Sequence, residues 1–157
     1  MELPSLLRAG VDEILRDTPI ADIKKAAEAL SQRYRGEIRD GRLHLSERAA
    51  ATAYLATRLP ATYAAVRASL SAIADVRPEW SPQTLLDVGS GPGSVLWAAR
   101  DQWPSIEHAT MIEASDPIRR IGERLAQPSG AKRTIWIAAD IARGLPALER
   151  ADMVTLS

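Results

Sequence analysis

The chain has 157 residues, 46% of them hydrophobic, with 20 basic and 20 acidic side chains. That length and composition suit one packed domain or one and a half, and zero net charge argues against gripping nucleic acid by bulk charge alone. The absence of cysteine removes disulfides, thiolate metal sites and cysteine nucleophiles from this chain, and the two histidines, His44 and His108, stand too far apart in sequence to suggest zinc.

No stretch reaches the roughly 18 uninterrupted apolar residues of a membrane span. The opening "MELPSLLRAGVDEIL" lacks the basic block and unbroken apolar block of a secretory signal. The expectation is a soluble, cytoplasmic chain.

In chain order, the first half reads as helical. "LLRAGVDEIL" puts Leu7, Val11, Ile14 and Leu15 near one face. Thr18 is a candidate cap for a second helix with Pro19 at its first position. There Ile20, Ile23, Ala27, Leu30 and Tyr34 recur at spacings of three and four as one apolar stripe, and Gly36 is a stop. "EIRDGRLHL" predicts a turn around Asp40-Gly41. Ser46 can cap a third helix, which Pro60 ends or kinks. A fourth helix carries Tyr63, Val66, Leu70 and Ile73.

"DVRPEWSPQ" marks a boundary near residue 80, giving a helical N-terminal domain at 1–79 and a second unit at 80–157. Beyond it come four short apolar runs, 84–88, 109–113, 134–138 and 152–156, with helical segments between the first three. Strands alternating with helices predict an α/β fold with right-handed crossovers and a parallel sheet. The chain ends with the fourth run, and such a sheet usually continues. A longer natural protein is therefore the expectation.

The chemistry gathers after the first strand, in "LLDVGSGPGSVLWAAR". In an open α/β sheet, ligands bind at the carboxyl ends of the strands. Gly89, Gly91 and Gly93 form a turn there that lets a ligand approach the backbone, and the helix starting near Ser94 offers free N–H groups to an anion. The spacing is G-x-G-x-G, not the G-x-G-x-x-G of dinucleotide binding. Asp87, two residues before the first glycine, would serve a phosphate poorly and a cationic ligand well. S-adenosylmethionine has that character: a sulfonium, an ammonium, and one carboxylate for the helix end. Glu113, at the end of the second strand, can accept from both ribose hydroxyls. Asp140, past the third, can accept from an adenine amino group while Ile141 packs on the ring. Ser90 and Ala114 complete the candidate donor pocket. Taken singly, Glu113 is equally a solvated strand end and Asp140 a helix cap; it is their order at successive strand ends that points to a nucleoside. Trp97, Trp103 and Trp136 are expected in the core, and His44 and His108 at the surface or as caps.

These residues, "LLDVGSGPGSVLWAAR", "ATMIEAS" and "WIAADI", resemble class I S-adenosylmethionine-dependent methyltransferases. The upstream "AYLATRLPATYAAVRASLSAI", with Arg58 through Tyr63, is similar to a narrower group: small-ribosomal-subunit methyltransferase-like proteins, whose mitochondrial members are ribosome-assembly factors. The resemblance implies the first half of a Rossmann-like sheet in the order 3-2-1-4. It implies a methyl-donor site at Asp87, Gly89, Gly91, Gly93, Glu113 and Asp140, and small-subunit rRNA or a pre-ribosomal particle as partner. It also implies a continuation, bearing in many members a metal or iron–sulfur centre and the acceptor-orienting loop. No catalytic base can be nominated here, and residues 1–157 alone are expected to be inactive.

"SQRYRGEIRDGR" sets Arg33, Arg35, Arg39 and Arg42 around Tyr34. Arginines can pair phosphates and stack on bases, yet a solvated charged face explains the same residues, since residues 1–79 hold 12 basic against 11 acidic side chains. Three functions stand side by side: a methyltransferase; a non-catalytic assembly factor that keeps a methyl-donor fold; and a nicotinamide-dependent oxidoreductase, which the glycine spacing disfavours.

Overall fold

The computed structural model describes residues 2–36 and 47–157. Four helices come first: α1 (Ser5–Leu15), α2 (Ile20–Arg35), α3 (Arg48–Thr57) and α4 (Leu59–Val76). Then β1 (Thr84–Val88), α5 (Ser94–Gln102), β2 (His108–Ile112), α6 (Asp116–Ala126), β3 (Arg133–Ile137) and β4 (Met153–Leu156) follow, with short 3-10 turns at Gln127–Ser129 and Ile141–Arg143. The four strands pair in parallel in the order β3-β2-β1-β4. This is the order that the resemblance implies.

Apolar periodicity decides which faces are buried. Leu7 and Val11 of α1, Leu55 of α3, Tyr63 and Leu70 of α4 are buried as the stripes require. The α2 stripe is only partly used: Leu30 is buried, but Ile20 is 84% exposed and Tyr34 is 38% exposed. That helix packs chiefly on α3, so both ends of its stripe overhang the support beneath.

Helix ends differ from expectation in two places. Thr18 makes no cap hydrogen bond; Pro19 itself occupies the cap position and α2 begins at Ile20. Pro60 does not kink a continuous helix. It lies in the first turn of α4, where its missing N–H costs nothing, after α3 has closed at Thr57. The expected turn at Asp40-Gly41, the Ser46 cap and His44 lie outside the described residues.

The sheet has two unlike faces. Leu85, Ala109, Met111 and Met153 pack with α5, α6 and the N-terminal helices in one continuous core that also holds Leu7, Leu30, Leu55 and Tyr63. On the opposite face Leu86, Val88 and Ile112 form a smaller cluster with Ile137, Ala139, Leu148 and Ala151. Across the "DVRPEWSPQ" turn the first core is unbroken, because α4 lies along α5. There Tyr63 Oη donates to the Asp101 carboxylate at 3.2 Å and Arg67 Nε to the same group at 2.6 Å. Trp97 and Trp103 are buried in that core, the latter edge-on to Trp80 at 5.0 Å between ring centroids.

Candidate functional site: the rim at the strand ends

β1 runs into the glycine turn through Asp87, which is completely buried. Register places Asp87 between Met111 of β2 and Thr155 of β4, with Trp136 next beyond Met111. Thr155 Oγ1 donates to the Asp87 carboxylate at 2.7 Å and Ser157 Oγ approaches it at 3.2 Å. Burial pushes the Asp87 carboxyl up to about 7; the two hydroxyls pull it down, and the neighbouring Glu113 charge adds to the rise. A carboxylate held in this state gains from any cation brought against it.

The turn itself needs glycine. Gly89, Gly91 and Gly93 have φ of 79°, 50° and 86°, left-handed values that disfavour other L-residues. Gly89 and Ser90 donate their N–H groups to the Ile112 carbonyl at 2.8 and 3.0 Å, which ties the turn to the end of β2. Gly93 caps α5. A side-chain carbon added at Gly91 would meet nothing within 4 Å, so the outer edge of the turn is open.

Glu113 follows β2 directly and joins this turn. Its Oε2 accepts from Gly91 N–H at 2.9 Å and its Oε1 from Ser115 N–H at 2.7 Å. A carboxylate has about four acceptor positions, so capacity remains for a further pair of donors. Ala114, half-buried, lies between these anchored residues. Ser94, at the first position of α5, is buried and its Oγ has no hydrogen-bond partner. Buried hydroxyls are normally paired, so this orphan fits an acceptor group lodged at the helix start.

Asp87, Gly89, Ser90, Gly91, Gly93 and Glu113 thus converge on one rim. Asp140 behaves differently. Its Oδ1 accepts from Ala142 N–H at 2.9 Å, capping the Ile141–Arg143 turn, and Arg143 stands 3.6 Å from Oδ2. No hydrogen bond links it to the glycine turn among the described residues. Ile141 beside it is 55% exposed, an apolar side chain left open past the carboxyl end of β3.

Three features escaped the sequence. Thr155 and Ser157 become partners of Asp87 only once β4 is known to pair with β1, and a T-x-S spacing at a strand end was the sole signal. The third is a stacked pair: the Arg58 guanidinium lies 4.4 Å from the centre of the Tyr34 ring. Burial raises the Tyr34 phenol first; Tyr54 and the Glu113 carboxylate raise it further, against Arg58.

Of the four arginines suggested for nucleic acid, Arg33 is half-buried and Arg35 exposed in the last turn of α2. Arg39 and Arg42 lie outside the described residues. Among the described residues no cluster of His, Asp or Glu could hold a metal, and no helix is long and apolar enough to cross a membrane.

The family model described as "Mitochondrial small ribosomal subunit Rsm22" matches residues 48–157. The chain belongs to the Rsm22 family. A human relative, "Ribosome assembly protein METTL17, mitochondrial", is 38% identical over 73 residues, which is 46% of this chain and 16% of that protein. Two solved structures share the fold at 19% identity. One is the plantazolicin methyltransferase BpumL in complex with a monoazolic desmethylPZN analog and SAH (TM-score 0.52, covering 84% of this chain and 47% of that one). The other is the mitomycin 7-O-methyltransferase MmcR (TM-score 0.51, covering 98% and 46%). This Rsm22-family chain thus has a Rossmann-like methyltransferase fold, and it spans about half the length of those enzymes and a smaller share of METTL17.

Proposed function

We propose that this chain carries the methyl-donor half of an S-adenosylmethionine-dependent methyltransferase acting on small-subunit rRNA during ribosome assembly. The observation that carries the reading is the joining of Glu113 to the glycine turn above a buried, proton-hungry Asp87. A bound donor would supply an electrophilic methyl group: the acceptor would bond to its carbon in line as the C–S bond breaks and the sulfur leaves as a neutral thioether. The chain's own residues bind and orient. Asp87 offsets positive charge at the amino-acid end, and the start of α5 with Ser94 receives the carboxylate. Glu113 accepts from ribose hydroxyls while still bracing Gly91. Asp140 and Ile141 stand at the adenine end, Asp140 by releasing its cap hydrogen bond or sharing it. Alignment of donor and acceptor accounts for most of the rate in such a reaction.

Calorimetry on the full-length protein tests the donor site. S-adenosylmethionine should bind and NAD should not. Glu113→Ala should weaken donor binding by roughly tenfold or more, the loss of a charge-assisted pair of hydrogen bonds. NAD binding in place of the methyl donor would reject the assignment.

A second reading has its own support, because the human relative is described as an assembly protein. In that reading the donor fold is kept and no methyl is transferred. Labelled methyl donor with purified small-subunit rRNA separates the two: incorporation supports the enzyme, and tight donor binding without incorporation supports the assembly factor.

A further inference from the structure

Residues of the N-terminal helices, Arg35 of the arginine-rich stretch among them, line a second surface. A groove of about 770 Å³ runs along α2 and ends at the junction of α3 and α4. Lys24, Arg35 and Arg58 line it against one carboxylate, Glu28, with Gln32 and Thr57 between them. No salt bridge engages Lys24, Arg35 or Arg58 among the described residues, so the groove keeps its positive charge. Arg58 caps α4 and stacks its guanidinium face on Tyr34. Stacking occupies the face of the group and leaves its N–H edges to pair an anion. Tyr34, still 38% exposed, offers aromatic surface beside that cation.

We infer that the groove along α2 receives a single strand of RNA, and that Arg58 and Tyr34 clamp it at the junction of α3 and α4, Arg58 on a phosphate and Tyr34 against a base. The inference deepens the RNA part of the proposed function and rests on it. Charge complementarity selects the occupant: three cations to one carboxylate suit a polyanion. The flanking aromatic ring selects a nucleic acid over an acidic protein segment, because bases stack and glutamates do not. A duplex would leave Tyr34 without an unstacked base to meet. The clamp sits where the groove ends, at the start of α4. Arg58 and Tyr34 are positioning residues for the RNA.

The test uses full-length protein and a labelled single-stranded RNA of about 12 nucleotides, titrated over a range of salt. Arg58→Gln should weaken binding and make the slope of log affinity against log salt shallower by about 0.7, the loss of one phosphate contact on a single strand. Tyr34→Leu should weaken binding by roughly tenfold with the slope unchanged, whereas Tyr34→Phe keeps the ring and most of the affinity. If Arg58→Gln lowers the thermal midpoint sharply, the exposed pair Lys24→Gln/Arg35→Gln replaces it and should cut the slope by about 1.4. Unchanged affinity and slope in these variants, with wild-type protein binding RNA, overturn the clamp alone. Wild-type protein that binds no RNA at low salt overturns the RNA reading with it. Displacement of the RNA by polyglutamate at equal charge assigns the groove to an acidic protein segment and overturns the nucleic-acid occupant.

Discussion

At Asp87, burial favours the neutral acid in the fold, with a carboxyl pKa of about 7 against 3.8 for the free side chain. Between these values the folded chain binds more protons than the unfolded one. The contribution of Asp87 to stability therefore declines as pH rises from about 4 to about 7 and is level above that. Asp87→Asn removes this slope. Urea midpoints at both ends of the window should show the wild type losing stability relative to the variant as pH rises. A cationic ligand reverses the preference and draws the carboxylate into its charged form. Donor binding near pH 6 should then release a proton, seen as a dependence of the calorimetric heat on the ionisation heat of the buffer; Asp87→Asn should abolish it. The aspartate was legible in the sequence as a candidate, but its protonation was not. That property comes from burial beneath the glycine turn, with the Glu113 charge adding to it and two hydroxyls some 70 positions away opposing it, and these partners acquire meaning only through strand order.

Elements around the turn are held by close packing. A side-chain carbon at Gly122 of α6 would collide with Cη2 of Trp136, a rigid indole that also lies close to Gly93. Gly122→Ala should cost about 1–3 kcal/mol, read as a lower urea midpoint at unchanged m. A neutral result would mean that the indole swings aside freely, and with it the floor beneath Gly93. Arg100 of α5 fixes the next turns by donating to the carbonyls of Ser129 at 3.2 Å and Pro104 at 2.6 Å. Helices and strands were legible here because 3.6- and 2-residue periods survive in the apolar pattern. The strands shift by one residue at β2 and β3, so Glu113 stands just past its strand and is free to turn toward Gly91. The overhang of α2 was not legible: an apolar stripe records which face is sticky, and the length of the supporting helix decides how much of it is covered.

Over the whole molecule, the helical half and the sheet share one interior, and polar groups tie them at its edge. Arg67 of α4 bonds Asp101 and Gln102 of α5, and Tyr63 bonds Asp101. With Arg67 only 19% exposed, Arg67→Met should cost about 1.5–3 kcal/mol through the lost charged hydrogen bonds, and its unfolding should stay a single transition. The change of rhythm near residue 80 was plain in the sequence. Continuity of the core across it was not, because α4 and α5 each look amphipathic alone and nothing in either names its neighbour.

That continuity governs how the molecule would respond to a cut. The proline-bearing turn at 77–83 is the one covalent bridge between the two halves, yet the buried faces on either side of it meet regardless. Protease nicking there should leave two pieces that co-elute on gel filtration and part only in denaturant. The seam is a hinge in the covalent chain but not in the solid, and a pull on the outer helices would be felt at the glycine turn before the peptide between them grew taut.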